Sequence, residues 1–341
     1  MKKVVSLFVR LVIGFVLVVY VCYAANLFSD DGWIALFSTL ASANTGWLLL
    51  AFLYIPFIDF ISTIKWHYLA RKLNFRVSFF RLFVFYIVGR FFNLVLPSSI
   101  GGDIVRVHLL ARENKRYAQA AAVVFVERLT GVITLVTFAI LAAFIALEKF
   151  NIQWLNIAFL VAIIGVVLLV WLIIDDRLFY FVEKLFKGRN RIIDKILLKT
   201  AKFKEAATQY RNDTKSIILA FVYSLVFYFF AIFNFWVTAM VFQNDVSLTS
   251  MFIAVPIIMF IMNIPLSVGG IGIMEFAYTF VLSLFGFAPE IALSIALLMR
   301  LKTLIAAAIG ACIYPVVSSW GVNFDEINSD TLTEDKVKSK M

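Results

Sequence analysis

The sequence predicts an all-α, polytopic integral membrane protein with about six transmembrane helices and two re-entrant hairpins in an inverted-topology repeat. Hydrophobic residues make up 63% of the chain and charged residues only 15%, whereas a soluble domain is about half apolar and a quarter charged. The apolar runs are continuous and about twenty residues long, which suits one helical crossing. Barrel strands would instead alternate apolar and polar residues. Two further apolar stretches share a Gly- and Pro-containing motif.

Six uninterrupted apolar runs are predicted to span the membrane. The first is longer than the apolar part of a signal peptide and no clear cleavage site follows it, so we expect it to be retained. The spans are Val4–Ala25, Trp47–Ile64, Tyr117–Leu147, Leu155–Ile174, Ser216–Phe242 and Ile291–Ser318. Two other stretches, Ser78–Leu110 and Leu248–Gly286, are interrupted by glycine and proline.

The basic residues predict the orientation of these spans. Lys65–Arg81 and Asp175–Lys215 are rich in lysine and arginine, whereas Asn26–Gly46 has neither. Positive loops face the cytoplasm, so both termini and the basic loops are predicted to be cytoplasmic, and Asp59 and Lys65 are interpreted as markers of the interface. The net charge of +10 then reflects loops beside anionic headgroups. No nucleic-acid-binding motif accompanies it, so no nucleic-acid partner is expected.

The two interrupted stretches contain matching turns. One turn is Asn93–Asp103 and the other Asn263–Gly272, and both contain Pro-x-Ser-[Ile/Val]-Gly-Gly. The first stretch is flanked by cytoplasmic charges and the second by outside loops, so they are predicted to enter the membrane from opposite sides. Repeat A therefore covers about 47–147 and repeat B about 216–318. A connecting span and basic cytoplasmic loop, about 155–215, separate them, a pattern typical of transporters with a midplane site.

The chain is predicted to form a single transmembrane domain, 1–320, followed by a polar cytoplasmic tail, 321–341. Its two cysteines, Cys22 and Cys312, lie inside apolar runs and indicate neither a disulfide framework nor a metal site. No nucleotide-binding motif or recognised nucleophile–base spacing is present. No cofactor or metal is therefore expected, and any transport would run down a gradient or couple to protons or the membrane potential.

The candidate binding site combines the broken turns with charges inside the spans. Half-helices that begin after Gly102 and Gly270 would direct their partial positive charge inward, which suits a lipid phosphate. Charges near the bilayer centre usually face a cavity or a partner. The structural alternatives are tight turns of small residues and mutual pairing, such as Glu127 with Arg300 or Arg106. The candidate substrate-binding residues are Asn93, Ser98, Ser99, Gly101, Gly102, Asp103, Arg106, Glu127, Arg128, Asn263, Ser267, Gly269, Gly270, Glu275, Arg300 and Lys302.

Two segments carry a resemblance to a known family. Gly89–Asp103 with Arg106 and Glu127-Arg128, and Pro265–Glu275, resemble the membrane region of lysylphosphatidylglycerol synthases and of similar stand-alone flippase-like proteins. The resemblance covers about residues 5–318. It implies translocation of aminoacylated phosphatidylglycerol, a lipid that a separate cytosolic domain makes from aminoacyl-tRNA. The sequence contains no counterpart of that domain, so we expect the chain to move a lipid rather than make one.

The predicted function is a lipid flippase of a prokaryotic cytoplasmic (inner) membrane. It would move a phospholipid or lipid-linked headgroup, such as aminoacylated phosphatidylglycerol or a glycolipid. Its predicted partners are membrane lipids with anionic headgroups, and a separate lipid-synthesis enzyme and a homo-oligomer remain open. One alternative is a membrane-embedded enzyme or enzyme subunit acting on a polyprenyl- or lipid-linked substrate through Asp103, Glu127 or Glu275. Another is a scaffold that recruits a lipid-synthesis enzyme.

Overall fold

A computed structural model describes residues 2–96, 101–112, 115–149, 164, 208, 210, 213–263 and 267–319. Helices account for the regular structure of these ranges. The predicted span Leu155–Ile174, most of the basic loop, the tail and parts of both turns lie outside the described residues. The helices are α1 (Lys2–Ala24), α2 (Asp30–Ala41), α3 (Thr45–Lys72), α4 (Phe79–Val95), α5 (Gly101–Ala111), α6 (Tyr117–Lys149), α7 (Thr214–Met240), α8 (Leu248–Asn263), α9 (Ile273–Leu284) and α10 (Pro289–Ser319).

Four of the described helices are long and apolar enough to cross a membrane. They are α3, α6, α7 and α10, and shorter apolar helices accompany them. This confirms the predicted all-α, polytopic class. The helix α1 covers the predicted first span, Val4–Ala25.

The second predicted span, Trp47–Ile64, is too short by eight residues at its C-terminal end. Helix α3 begins after Asn44, whose side chain accepts hydrogen bonds from the first N–H groups of the helix, and continues to Lys72. It continues because Trp66 and Leu69 bury their side chains completely. Buried residues therefore recur at helical spacing beyond Lys65, the first basic residue after the apolar run. Lys65 therefore lies within a packed helix rather than in a loop.

The segment Asn26–Gly46, which lacks lysine and arginine and lies between the first two predicted spans, contains helix α2. Ser29 caps this helix by accepting a hydrogen bond from the N–H of Gly32, and two aspartates occupy its first turn, where negative charge is favourable. Its 12 residues reach only about 18 Å, too short to span a bilayer. The sequence-based prediction missed α2 because a short helix that packs along α10 has no long apolar run.

Each interrupted stretch contains a pair of helices, α4 and α5 in the first and α8 and α9 in the second. In the first pair, α4 packs against α5, and the Gly102 N–H donates to the Asn93 side-chain oxygen at 2.8 Å. In the second, a 3₁₀ turn at Val268–Gly270 precedes α9. Gly272 precedes α9 with a φ of 82°, a left-handed conformation that glycine adopts without strain. The half-helices start at Gly101 and Ile273.

Two sets of four consecutive helices have closely matched lengths. Helices α3 to α6 contain 28, 17, 11 and 33 residues, and α7 to α10 contain 27, 16, 12 and 31. Each set supplies most of one hydrophobic core cluster. Helix α4 packs against α10, α8 packs against α6, and α3 runs along α7. The first helices of the two sets are therefore neighbours, and Lys65 of α3 contacts Ser224 of α7 across this junction.

Candidate functional site

Four charged side chains on α5 and α6 form one ion-pair network. Arg128 donates from Nε and from a terminal nitrogen to the two carboxylate oxygens of Asp103, at 2.9 and 3.0 Å. Arg106 donates to Asp103 at 3.3 Å and also to Glu127. Asp103, Arg106 and Glu127 are buried, whereas the Arg128 side chain is 51% exposed. Arg128 is therefore the member of this network that can reach a ligand.

The guanidinium of Arg106 is fixed between two aromatic rings. Its central carbon lies 4.3 Å from the centre of the Trp66 ring and 4.5 Å from that of Tyr86, within the range of cation–π attraction. Gly89 provides the space, since a Cβ there would lie 2.9 Å from the Arg106 side chain. The predicted pairing of Glu127 with Arg106 is present, and the surrounding rings make Arg106 a packing residue of the interior.

A cavity of about 100 Å³ opens beside this network. Lys65 of α3 reaches its wall, where the ammonium donates to the backbone carbonyl of Glu127 at 2.6 Å and to the Ser224 hydroxyl at 2.7 Å. The interpretation of Lys65 as an interfacial marker is wrong, because the residue is 6% exposed and faces the interior. The cavity is lined by Ile61, Ser62, Lys65, Tyr86, Glu127, Arg128, Gly131, Val132, Ser224, Phe227, Tyr228 and Asn263.

The charges around the cavity do not cancel. The ion-pair network and Lys65 together contribute three cations (Lys65, Arg106, Arg128) and two carboxylates (Asp103, Glu127), which leaves one formal positive charge. Within the described part of the chain, Lys65 forms no ion pair. Buried charge without a compensating partner is costly, so a negatively charged ligand would be stabilised in this cavity.

A second ion pair occupies the corresponding place in α9 and α10. Arg300 donates to both carboxylate oxygens of Glu275, at 2.7 and 3.0 Å, and to the carbonyls of Gly269 and Gly270, at 3.1 and 2.6 Å. Its side chain is 14% exposed. The predicted Glu127–Arg300 pair is wrong, because Arg300 instead holds the 3₁₀ turn against α9.

The half-helix N-termini are occupied by side chains of the protein itself. Glu275 accepts the Gly272 N–H at 2.9 Å at the start of α9, and Asn93 accepts the Gly102 N–H at the start of α5. Asp103 adds a carboxylate to the first turn of α5. The described geometry thus moves the favoured position for an anion from the helix ends to the cavity lined by Arg128.

Two further charged groups lie deep between helices. The Lys302 ammonium on α10 donates to the Asn234 side-chain oxygen at 2.5 Å and to the Thr238 hydroxyl at 3.1 Å. Asp59, interpreted from the sequence as an interfacial marker, is instead buried and forms an ion pair with Arg90 of α4 at 2.5 Å. A charge at the bilayer centre costs about 2.5–3.5 kcal/mol, so these contacts mark a polar interior.

The structure brings only some of the predicted residues to the cavity. Glu127, Arg128 and Asn263 line it. Ser98 and Ser99 lie outside the described residues. The other predicted residues stand behind the cavity wall or away from it: Asn93, Gly101, Gly102, Asp103, Arg106, Ser267, Gly269, Gly270, Glu275, Arg300 and Lys302.

Sequence reasoning missed several cavity residues. Lys65, Tyr86, Ser224 and Tyr228 were not among the predicted site residues, yet all four line the cavity. For Lys65 a signal was available, because buried apolar residues continue at helical spacing after it, at Trp66 and beyond. Tyr86, Ser224 and Tyr228 gave no such signal, because single serine and tyrosine residues are common within apolar runs.

These features define a multi-pass helical membrane protein with a charged interior site. The family model described as the lysylphosphatidylglycerol synthase TM region matches residues 7–310, and the chain belongs to this family. It is 24% identical over 287 residues to a UPF0104 membrane protein of Methanocaldococcus jannaschii, covering 79% of this chain and 84% of the relative. A UPF0104 membrane protein of Archaeoglobus fulgidus is 27% identical over 269 residues, covering 73% and 79%. No solved structure matches the chain.

Proposed function

We propose that the protein translocates a lipid headgroup across the cytoplasmic membrane of a prokaryote. The observation that carries this proposal is the cavity, which brings the half-exposed Arg128 and the buried Lys65 together within apolar helices. Helices from both four-helix sets line it. A polar interior between two such sets would let a headgroup cross while the acyl chains stay in lipid. Membership of a family named for a lipid synthase supports a lipid substrate.

The transport architecture would be an inverted repeat. The matched helix lengths support a repeat of α3–α6 in α7–α10. The two ion pairs support it as well, because Asp103–Arg128 and Glu275–Arg300 have the same sequence separation of 25 residues. The pairs α4–α5 and α8–α9 would then be re-entrant hairpins that enter from opposite sides, with both termini in the cytoplasm.

Within this architecture, Arg128 would bind the lipid phosphate. Two of its five N–H groups are used by Asp103, so the remaining donors can form the bidentate contact that arginine makes with phosphate. Lys65 would add a second positive charge, and Asn263 a polar contact. Arg300 makes four hydrogen bonds within its own turn, which favours a structural role over a phosphate contact.

Reconstitution tests this function directly. The purified protein is placed in liposomes that contain phosphatidylglycerol with a labelled headgroup, and exchange between leaflets is followed together with the chemical identity of the lipid. We expect exchange without chemical change, and a loss of about tenfold or more in Arg128→Gln, which removes a charge-assisted contact. The matched control is Lys72→Gln, an exposed cation paired with Asp213 away from the cavity.

The possible results separate the candidate functions. Exchange that depends on Arg128 but not on Lys72 supports translocation. A new lipid species would instead identify an enzyme acting on a lipid-linked substrate. No exchange by the wild-type protein, or equal exchange by Arg128→Gln, contradicts the proposal.

A further inference from the structure

Two buried lysines contact the same helix, α7, at different heights. Lys65 donates to Ser224, and Lys302 donates to Asn234 and Thr238. Both lysines are nearly inaccessible, at 6% and 5% exposure. Among the described residues, the hydrogen-bond acceptors of both ammonium groups are neutral oxygens. Within the described residues, neither amine therefore has a carboxylate as a hydrogen-bond acceptor.

The residues that the lysines contact, together with Tyr228, place polar groups along one face of α7, the polar face. Ser224, Tyr228, Asn234 and Thr238 are all buried, and at about 100° per residue they fall within a sector of about 120°. The apolar residues Phe227, Ala231 and Phe235 alternate with them in this sector. The opposite side carries exposed apolar residues, including Val226 and Phe229, which suit lipid. Helix α7 therefore separates a lipid-facing side from a polar side covered by the two lysines.

The polar face is long enough to cross most of the bilayer. From Ser224 to Thr238 the helix rises about 21 Å, against a hydrocarbon thickness of about 30 Å. Tyr228 and Ser224 border the cavity beside Lys65, whereas the contacts of Lys302 are closed by packing. The two lysines thus mark an open and a closed polar position along one helix.

We propose that this face of α7 is the path of the headgroup, that the cavity lined by Lys65 and Arg128 is the first binding position for its phosphate, and that Lys302 is the next. The inference rests on the proposed translocation and narrows the substrate to a lipid with a net negative phosphate headgroup. Ammonium groups bind phosphate as point charges, and a phosphate beside either buried lysine would favour the charged form of that lysine, whereas a cationic headgroup would be repelled by it. The closed position at Lys302 opens when the headgroup moves on from Lys65.

The first test compares lipids and lysine variants in liposomes. Exchange of labelled phosphatidylglycerol is measured beside phosphatidylcholine and an aminoacylated, cationic phosphatidylglycerol. Wild type should exchange the anionic lipid fastest, and Lys65→Met and Lys302→Met should each lower that rate by about tenfold or more. Lys302→Arg, which keeps the charge, should lose less of the rate than Lys302→Met, and Lys72→Met should stay within about twofold of wild type.

Two results of this test would overturn the inference. One is a folded Lys302→Met that exchanges the anionic lipid at the wild-type rate, since the second position would then be unnecessary. The other is a wild-type protein that prefers the cationic lipid. Failure of the wild type to exchange any lipid would count against translocation itself. The cysteine-labelling experiment below tests the path along α7 independently of exchange.

The second test examines the path without relying on transport. Three single-cysteine variants, Ser224→Cys, Thr238→Cys and Val226→Cys, are made in a chain whose two native cysteines are replaced by alanine. Each variant is treated with a water-soluble anionic thiol reagent. The first two should react, Thr238→Cys more slowly because it is closed in this structure. The lipid-facing Val226→Cys should not react. Labelling at Ser224→Cys but never at Thr238→Cys would contradict a continuous path.

Discussion

Replacing Gly102 with alanine should force α4 and α5 apart. A Cβ at this position would lie 2.1 Å from the Gly89 carbonyl oxygen and 2.6 Å from the side-chain carbon of Asn93. Because a carbon–oxygen contact needs about 3.3 Å, the helices must separate by about 1 Å. The same shift weakens the hydrogen bond from the Gly102 N–H to Asn93.

The cost of this change can be worked out from its parts. Overpacking costs about 1–3 kcal/mol and the weakened hydrogen bond about 1 kcal/mol. The greater helix preference of alanine returns up to about 1 kcal/mol. We therefore expect Gly102→Ala to lower the free energy of unfolding by about 1–3 kcal/mol.

Denaturant unfolding of the purified protein in detergent measures this free energy. The matched control is Gly131→Ala in α6, where the nearest atom to an added Cβ is the Lys65 ammonium nitrogen at 4.0 Å, an ordinary contact. That variant should be unchanged or more stable by about 0.5–1 kcal/mol. A Gly102→Ala protein as stable as the wild type would refute the packing argument.

Three further predictions concern charged groups. Glu127→Leu leaves the buried Arg106 without one of its two carboxylates and should destabilise the protein by about 3 kcal/mol in detergent unfolding. Arg300→Lys cannot reproduce four hydrogen bonds and should cost about 1–3 kcal/mol in the same assay; an unchanged free energy would argue against its structural role. The hydrogen bond from Lys72 is the main cause that lowers the pKa of Asp213, just before α7, from 3.8 to about 2. The stabilisation that ionised Asp213 provides should therefore be constant above about pH 5 and be lost as the pH falls through 2. The difference in unfolding midpoint between wild type and Asp213→Asn should stay constant from about pH 5 to 8. A difference that varies over this range would contradict the assignment.

The sequence predicted the described spans well because their signal is local. A run of apolar residues must be helical in lipid whatever lies next to it, so α7 and α10 were found close to their observed ends. The broken turns were also local, since glycine and proline interrupt a helix through their own backbone. Helix α2 was missed because its 12 residues are stabilised by packing rather than by a long apolar run.

The partners of the buried charges could not be predicted in the same way. The sequence placed Glu127 and Arg128 in an apolar run, but adjacent residues on a helix point in directions about 100° apart. Glu127 meets Arg106 while Arg128 meets Asp103, and that choice depends on how α5 crosses α6. Lys65 was misplaced because positive charge near the end of an apolar run usually marks the interface.

By itself, the sequence determined that the chain is a helical membrane protein, where most of the described helices lie, and that two of its apolar stretches are broken at matching motifs. Composition and local backbone preference are enough for these conclusions. The tertiary structure alone decided which charges compensate one another, and that Lys65 and Arg128 share a cavity with one excess positive charge. Helices distant along the chain, α3, α6 and α7, form that cavity, and their contacts depend on the packing of whole helix faces rather than on any local pattern.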